Sequence, residues 1–353
     1  MKISKQEALD IAFNGITYLS RIIDDNGKFI YQYEEKDGFP SNYNPDKYNL
    51  LRHAGCTWSM FYFLNNYHTK DMFIFNKGLK ALEYLIKNNL KRISFLGGLY
   101  YPCYKEEIKT GCIGLSLLAF DEAFENTYEK NKNKWKRHLE NSSNLINSIL
   151  YLQQPSGGFP WYKYNISLRE PTPFISDFYD GECALALLKA ANKNDEKKII
   201  LAAKKLILWK YTNRKQSTRD HWMLQAIESF PIAYLDKEEK DIFSRFANSI
   251  TDRIIKDPYD PSIYDVYGSI ACRSEALLSY LEIMRKGLLK TVFKKDEIME
   301  TLNEFLLFQK EGQVLSGLSK GAWKQNRKSN MIRCDFTQHN SMAFLRYASM
   351  ERR

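Results

Sequence analysis

Apolar residues recur at helical spacing in twelve successive segments of this chain, and that recurrence restricts the fold more than any other feature. The first segment lies near 5–23, where Ala8, Ile11, Ala12, Ile16, Leu19 and Ile22 share one face. The others fall near 50–66, 71–90, 110–126, 133–153, 180–192, 195–210, 219–230, 238–253, 268–286, 294–309 and 336–350. The connections alternate. Those near 67–70, 127–132, 193–194, 231–237 and 287–293 are short, whereas 24–49, 91–109, 154–179, 254–267 and 310–335 are long and 211–218 is intermediate.

Short links join antiparallel neighbours, so the alternation predicts six helical hairpins. The odd-numbered segments carry Lys and Glu faces, such as Lys204-Lys205, and belong outside. The even-numbered ones are small and apolar nearly all round, as in Gly181 to Leu188 and Ser269 to Leu278, and belong inside. The expected fold is all-α: an (α/α)6 toroid spanning 1–353 as one domain, with long aromatic loops on one rim. A length of 353 alone would suggest two domains, but six hairpins of about 50–60 residues fill it. With 44% apolar and 27% charged residues, the chain can bury a large core.

Nearly every inner segment opens with polar or ionisable residues, and in a toroid these openings converge on one mouth. They are Arg52-His53, Thr110, Asp180 with Glu182, Arg219-Asp220-His221, Arg273 with Glu275, and Asp335 with Gln338-His339. Helix N-termini favour anions through their free N–H groups. Capping accounts for Asp180, Asp220 or Asp335 taken singly, and a ring of structural ion pairs accounts for part of the rest. It leaves Glu182, Glu275, Arg52, Arg273 and the three histidines in first turns that should be buried, where charges need partners. His221 and His339 also fit as satisfied core residues.

The rim segments add Tyr31, Tyr33, Tyr101, Trp161, Tyr179, Tyr264 and Tyr267. Aromatic faces beside amide and charged groups suit sugar rings, though the same residues can pack as a plain lid. No HxxH or HExxH spacing occurs, and Cys56, Cys103, Cys112, Cys183, Cys272 and Cys334 form no CxxC pair. Reduced thiols, no metal and no cofactor are therefore expected. The net charge of +10 favours an anionic partner. No nucleic-acid-binding module accompanies it. No apolar run is long enough to span a membrane and the N-terminus has no signal-type stretch, so a cytoplasmic protein is expected.

From Gln153 to Ala190 the chain resembles the C-terminal toroid of the D-glucuronyl C5-epimerases. Gln153-x-x-x-Gly157-Gly158-Phe159-Pro160 precedes a Gly181-Glu182 inner helix running into small apolar residues, and Arg333 to His339 is loosely similar to that group's last inner helix. The Gln-x-x-x-Gly-Gly-Phe feature is also similar to repeats in terpene cyclases and protein prenyltransferases, but the chain has no Asp-x-Asp-Asp motif and no zinc-ligand set. The resemblance implies a carbohydrate-active enzyme acting on an anionic, uronate-containing glycan, by hydrolysis or by proton transfer at C5. Hydrolysis would draw two carboxyls from Asp180, Glu182, Asp220, Glu275 and Asp335. Proton transfer would draw an acid and a base from Tyr31, Tyr179, Tyr264, Tyr267, His221 and His339, with Arg52 or Arg273 neutralising the substrate carboxylate. Tyr33, His53, Tyr101, Trp161 and Gln338 complete the expected substrate-binding set. A non-catalytic glycan- or protein-binding toroid, or a prenyl-binding one, is the alternative.

Overall fold

The computed structural model describes residues 2–37, 39–67, 70–127, 132–194, 197–214, 219–256, 267–287 and 289–350. Among them are twelve α-helices: α1 (Lys5–Arg21), α2 (Leu50–Asn66), α3 (Met72–Tyr84), α4 (Thr110–Thr127), α5 (Lys132–Leu152), α6 (Tyr179–Asn194), α7 (Lys197–Arg214), α8 (His221–Ser229), α9 (Lys237–Lys256), α10 (Tyr267–Lys286), α11 (Lys295–Glu311) and α12 (Cys334–Ser349). Each coincides with an expected segment to within a few residues. The clearest departure is the end of the third, where Leu85–Asn89 forms a π-helical turn instead of α-helix.

The even-numbered helices form the inner ring. Helix α2 packs on α4, α4 on α6, α6 on α8, α8 on α10, α10 on α12, and α12 back on α2, which closes the circle. The odd-numbered helices pack outside them, α1 against α12 and α3, α7 against α6, α5 and α9. Amphipathicity decides which ring a helix joins. Helix α1 buries Ala8, Ile11, Ala12, Gly15, Ile16 and Leu19 and leaves its other face to solvent, while α12 buries all but two of its sixteen residues. Across the ring Trp58 of α2 meets Trp222 of α8 with centroids 5.4 Å apart, so aromatic side chains plug the centre below the mouth.

The long connections do more than cross the rim. They contain nine short strands among the described residues: β1 (Gln32–Lys36), β2 (Phe39–Ser41), β3 (Leu90–Ile93), β4 (Leu99–Tyr104), β5 (Glu107–Lys109), β6 (Lys163–Asn165), β7 (Glu170–Pro171), β8 (Lys324–Asn326) and β9 (Ser329–Arg333). These pair into two antiparallel sheets, β2-β1-β9-β8 and β3-β4-β5-β6-β7. The first sheet joins the α1–α2 and α11–α12 connections, with Gln32 opposite Arg333 and Tyr33 opposite Ile332, and so repeats at the rim the closure that α12 and α2 make below. No helix among the described residues is long and apolar enough to cross a membrane.

Candidate functional site

Three polar groups gather at the starts of the inner helices. The first is a buried triad. Lys210, on the outer helix α7, reaches inward with no exposed surface and lies 3.4 Å from Asp180 Oδ2 of α6 and 3.5 Å from the Asp220 Oδ2 that flanks α8. Its ammonium also donates to the Asp177 carbonyl, and the Tyr162 hydroxyl donates to Asp180 at 2.9 Å. Asp220 is the N-cap of α8, accepting from Met223 N–H at 3.1 Å. Burial pushes both carboxyls up, Asp220 to about 7, against the opposing pull of Lys210. Both candidate acids are thus held by a cation inside the wall.

The second group faces the opening. Asp335, in the first turn of α12, accepts two hydrogen bonds from Arg333, at 2.9 and 2.5 Å, and pairs with Arg52 Nε of α2 at 3.2 Å. Burial alone would raise the Asp335 carboxyl, but the two guanidiniums outweigh it and hold it below the usual carboxylate range. Tyr31 is fixed here because its carbonyl accepts from Cys334 N–H at 3.0 Å, and Arg333 lies 5.7 Å over its ring. Arg52 and Arg333 remain about one-quarter exposed, so this group can be reached from outside.

Glu182 sits deeper, at the start of α6, only 1% exposed. A Cβ on Gly111 would stand 2.0 Å from its Oε2, and one on Gly114 would stand 2.9 Å from the Glu182 carbonyl. Glycine is thus required twice on α4 for Glu182 to lie against it. Oε2 has no hydrogen-bond partner among the described residues. Burial raises the Glu182 carboxyl to about 8, more than the Arg52 charge lowers it, so the group is a neutral acid at pH 7. Tyr179, whose ring also packs by Gly111, is raised by burial and by Glu182.

The third group is the floor. His339 Nδ1 of α12 lies 2.9 Å from Glu275 Oε1 of α10, and Gln225 of α8 donates to the other carboxylate oxygen at 3.3 Å. Burial opposes charge on His339, but the neighbouring Cys272 and the Glu275 carboxylate prevail and raise it to about 10. His221 stands beside it with ring centroids 5.1 Å apart. Burial first, then the His339 charge, drives His221 well below the ordinary imidazole value. The two imidazoles therefore differ in protonation at neutral pH, one neutral and one cationic. Both rest on Trp222, at 4.8 and 6.0 Å.

No family model matches the sequence, and no curated protein is similar to it at the sequence level. Solved structures do match. The cellobiose 2-epimerase of Spirochaeta thermophila aligns at a TM-score of 0.70 and 11% identity, covering 98% of this chain and 96% of that one. An unsaturated glucuronyl hydrolase specific for heparin aligns at 0.65 and 12%, covering 99% of each. An inactive variant of a Salegentibacter α-1,6-mannanase, in complex with α-1,6-mannotetrose, aligns at 0.62 and 13%, covering 98% and 99%. The fold is that of the α/α-toroid carbohydrate-active enzymes.

Arg52, Tyr31, Tyr179, Glu182, His221, Glu275, Asp335 and His339 are neighbours: Asp335 pairs with Arg52 and acts on Tyr31, Glu182 on Tyr179, Arg52 on Glu182 and His221, and Glu275 holds His339 beside His221. Gln338 is buried against Gly55 of α2, and Arg273 is buried on α10 next to Cys272. Other candidates stand apart from this group. His53 is a satisfied core histidine, with Nε2 2.8 Å from the Ala81 carbonyl and Nδ1 2.5 Å from the Tyr48 hydroxyl. The Tyr33 hydroxyl is shared with Tyr18 and Ser319, and that of Tyr101 donates to the Leu96 carbonyl. Trp161 packs on Tyr164, and Tyr267 on Phe308 and Gly312. Tyr264 lies outside the described residues. A cavity of about 210 Å³ opens between the starts of α2 and α4, lined by Tyr48, Leu51, Tyr104, Lys109 and Cys112 among others.

Sequence reasoning missed Lys210, Arg333, Gln225 and Cys272. A signal existed for Lys210: Ala203, Leu206, Ile207 and Lys210 fall at the i, i+3, i+4, i+7 spacing of a buried stripe. A lysine at the last position of such a stripe needs a buried anion. None marked Cys272, whose neighbours come from two other helices.

Proposed function

We propose that the protein is a sugar-processing enzyme that moves a proton on a carbon next to a carbonyl or carboxylate, as an epimerase or isomerase does. The observation that carries this is the His221–His339 pair. Two imidazoles in contact, one neutral with a free lone pair and one cationic, supply a base and an acid without a prior proton exchange. Glu275 and Gln225 orient His339. The neutral Glu182 can donate to an enolate oxygen, and Arg52 can face developing negative charge.

Hydrolysis fits the carboxyls less well. It requires an acid and an ionised carboxylate across the bond. Glu182 can be the acid, but Asp335 is clamped by two arginines, Glu275 by His339 and Gln225, and Asp180 and Asp220 by Lys210. The names of the similar toroids, an epimerase among them, support a sugar substrate. Two guanidiniums on one carboxylate leave a surplus positive charge at the opening, which supports a uronate-bearing glycan.

The test is incubation in D2O with uronate-containing and neutral oligosaccharides side by side, followed by mass spectrometry and a reducing-end assay. Deuterium gained without new reducing ends is expected, with the uronates the better substrates. New reducing ends without deuterium would replace this reading by hydrolysis.

A further inference from the structure

Three inner helices bring four metal-binding donors together on the floor of the mouth. His221 of α8, Cys272 and Glu275 of α10 and His339 of α12 each offer one ligand atom, and all four atoms lie within 4.8 Å of one another. Cys272 and Glu275 are three residues apart, so a single helical face presents both. A second observation points independently to a ligand. His221 is 2% exposed, yet neither ring nitrogen has a hydrogen-bond partner among the described residues. An imidazole buried in this way has lost its hydration without replacement, and a bond to a cation would restore it.

Two imidazoles, a sulfur and a carboxylate form a borderline-soft donor set. Mg2+ and Ca2+ favour oxygen alone, whereas Zn2+ takes this mixture in tetrahedral geometry. With bonds of about 2.0–2.1 Å to nitrogen and about 2.3 Å to sulfur, zinc holds its donors roughly 3.3–3.8 Å apart. The donor atoms, at most 4.8 Å apart, would need to draw in by up to roughly 1–1.5 Å. Cys272 is partly exposed, which leaves an approach from the mouth. Motif spacing gave no hint of a metal because these donors come from positions 221 to 339 and meet only in the closed ring.

We propose that His221, Cys272, Glu275 and His339 form a closed, four-coordinate site for Zn2+, and that zinc and proton transfer exclude one another there. All four positions are protein atoms, so the bound ion offers no open position to water or sugar. Binding occupies a lone pair on each of the two imidazoles, so neither is free to take up or give a proton while the ion is held. The site itself is independent of the catalytic reading; the mutual exclusion rests on it.

The protein is dialysed against a chelator and titrated with Co2+, whose spectrum reports its ligands, then with Zn2+ by calorimetry. Wild type should bind one equivalent of Co2+, with tetrahedral d–d absorption and a thiolate-to-cobalt charge-transfer band. Cys272→Ser should abolish that band and Cys56→Ser should keep it. His221→Ala and His339→Asn should each weaken Zn2+ binding by roughly tenfold or more, with far-ultraviolet circular dichroism checking that they fold. Absence of the charge-transfer band in wild type, its survival in Cys272→Ser, or unchanged zinc affinity in both folded histidine variants would overturn the site. One equivalent of Zn2+ should also stop deuterium exchange on a sugar substrate and chelator should restore it; exchange that continues in the zinc-bound protein would overturn the exclusion. A chain that exchanges no proton on any sugar contradicts the catalytic reading alone, because the cobalt spectrum does not depend on turnover.

Discussion

Glu182 keeps its proton because of its depth, and that has a measurable signature in stability. Its folded value of about 8 is raised above the ordinary 4.5 by burial. A raised carboxyl stabilises the folded state fully below the unfolded value, and that contribution is lost as pH rises through the folded one. Wild type should therefore lose stability between pH 5 and 9 on this account, while Glu182→Gln, which stays neutral, should not. The difference in unfolding free energy between them should grow toward alkaline pH, in favour of Gln, by on the order of 2–4 kcal/mol. Parallel melting curves of the two proteins across that range would show that Glu182 is hydrated or paired. Arg52 makes a separate prediction. Its replacement by Ala leaves Asp335 with Arg333, so the fold should survive and binding of a uronate oligosaccharide should fall roughly tenfold, with added salt imitating part of the loss. Equal affinity for the variant, measured by calorimetry, would remove Arg52 from the binding surface.

Helices α6 and α8 meet through Gly181, where a Cβ would stand 2.6 Å from the Met223 backbone nitrogen and 2.9 Å from Asp220 Oδ2. Backbone cannot yield as a side chain does, so Gly181→Ala should cost about 1–3 kcal/mol in denaturant unfolding. Lys210→Met acts at the same junction by stranding two buried carboxyls. A loss of roughly 3–5 kcal/mol is expected near pH 8, and less at pH 5.5, where Asp220, raised to about 7, takes up its proton. Equal losses at the two pH values would show that the carboxyls do not depend on Lys210 for their charge. The element scale is also where the sequence was most readable. Period and connection length located every helix and assigned α2, α4, α6, α8, α10 and α12 to the inside, because burial leaves its mark on each residue of a helix separately. Pairings left no such mark. His53 and His339 both open as polar residues in apolar helices, but the Ala81 carbonyl satisfies one and Glu275 charges the other. Lys210 stood in a lysine-rich helix, and only its phase within the stripe distinguishes it from the solvated ones. The strands were equally faint, since pieces of two to six residues are fixed by partners in other connections.

The whole molecule is a ring, so its stability is shared around a circle. Helix α12 closes onto α2 and α1, and β9 onto β1. Differential scanning calorimetry should show a single transition over residues 1–353; two resolved transitions would divide the chain into separate units. Closure also explains how residues as distant in sequence as Arg52 and Asp335 lie 3.2 Å apart, and why a site of such composition needs no local motif. The account as a whole rests on the two imidazoles at the floor acting as a base and an acid. The most direct measurement follows solvent deuterium into substrate and product with wild type, His221→Asn and His339→Asn, in the direction where His221 is the base. His221→Asn should lose exchange of the substrate proton, whereas His339→Asn should retain that exchange but form product at least 100-fold more slowly. Wild-type exchange and turnover in both folded variants would contradict the account.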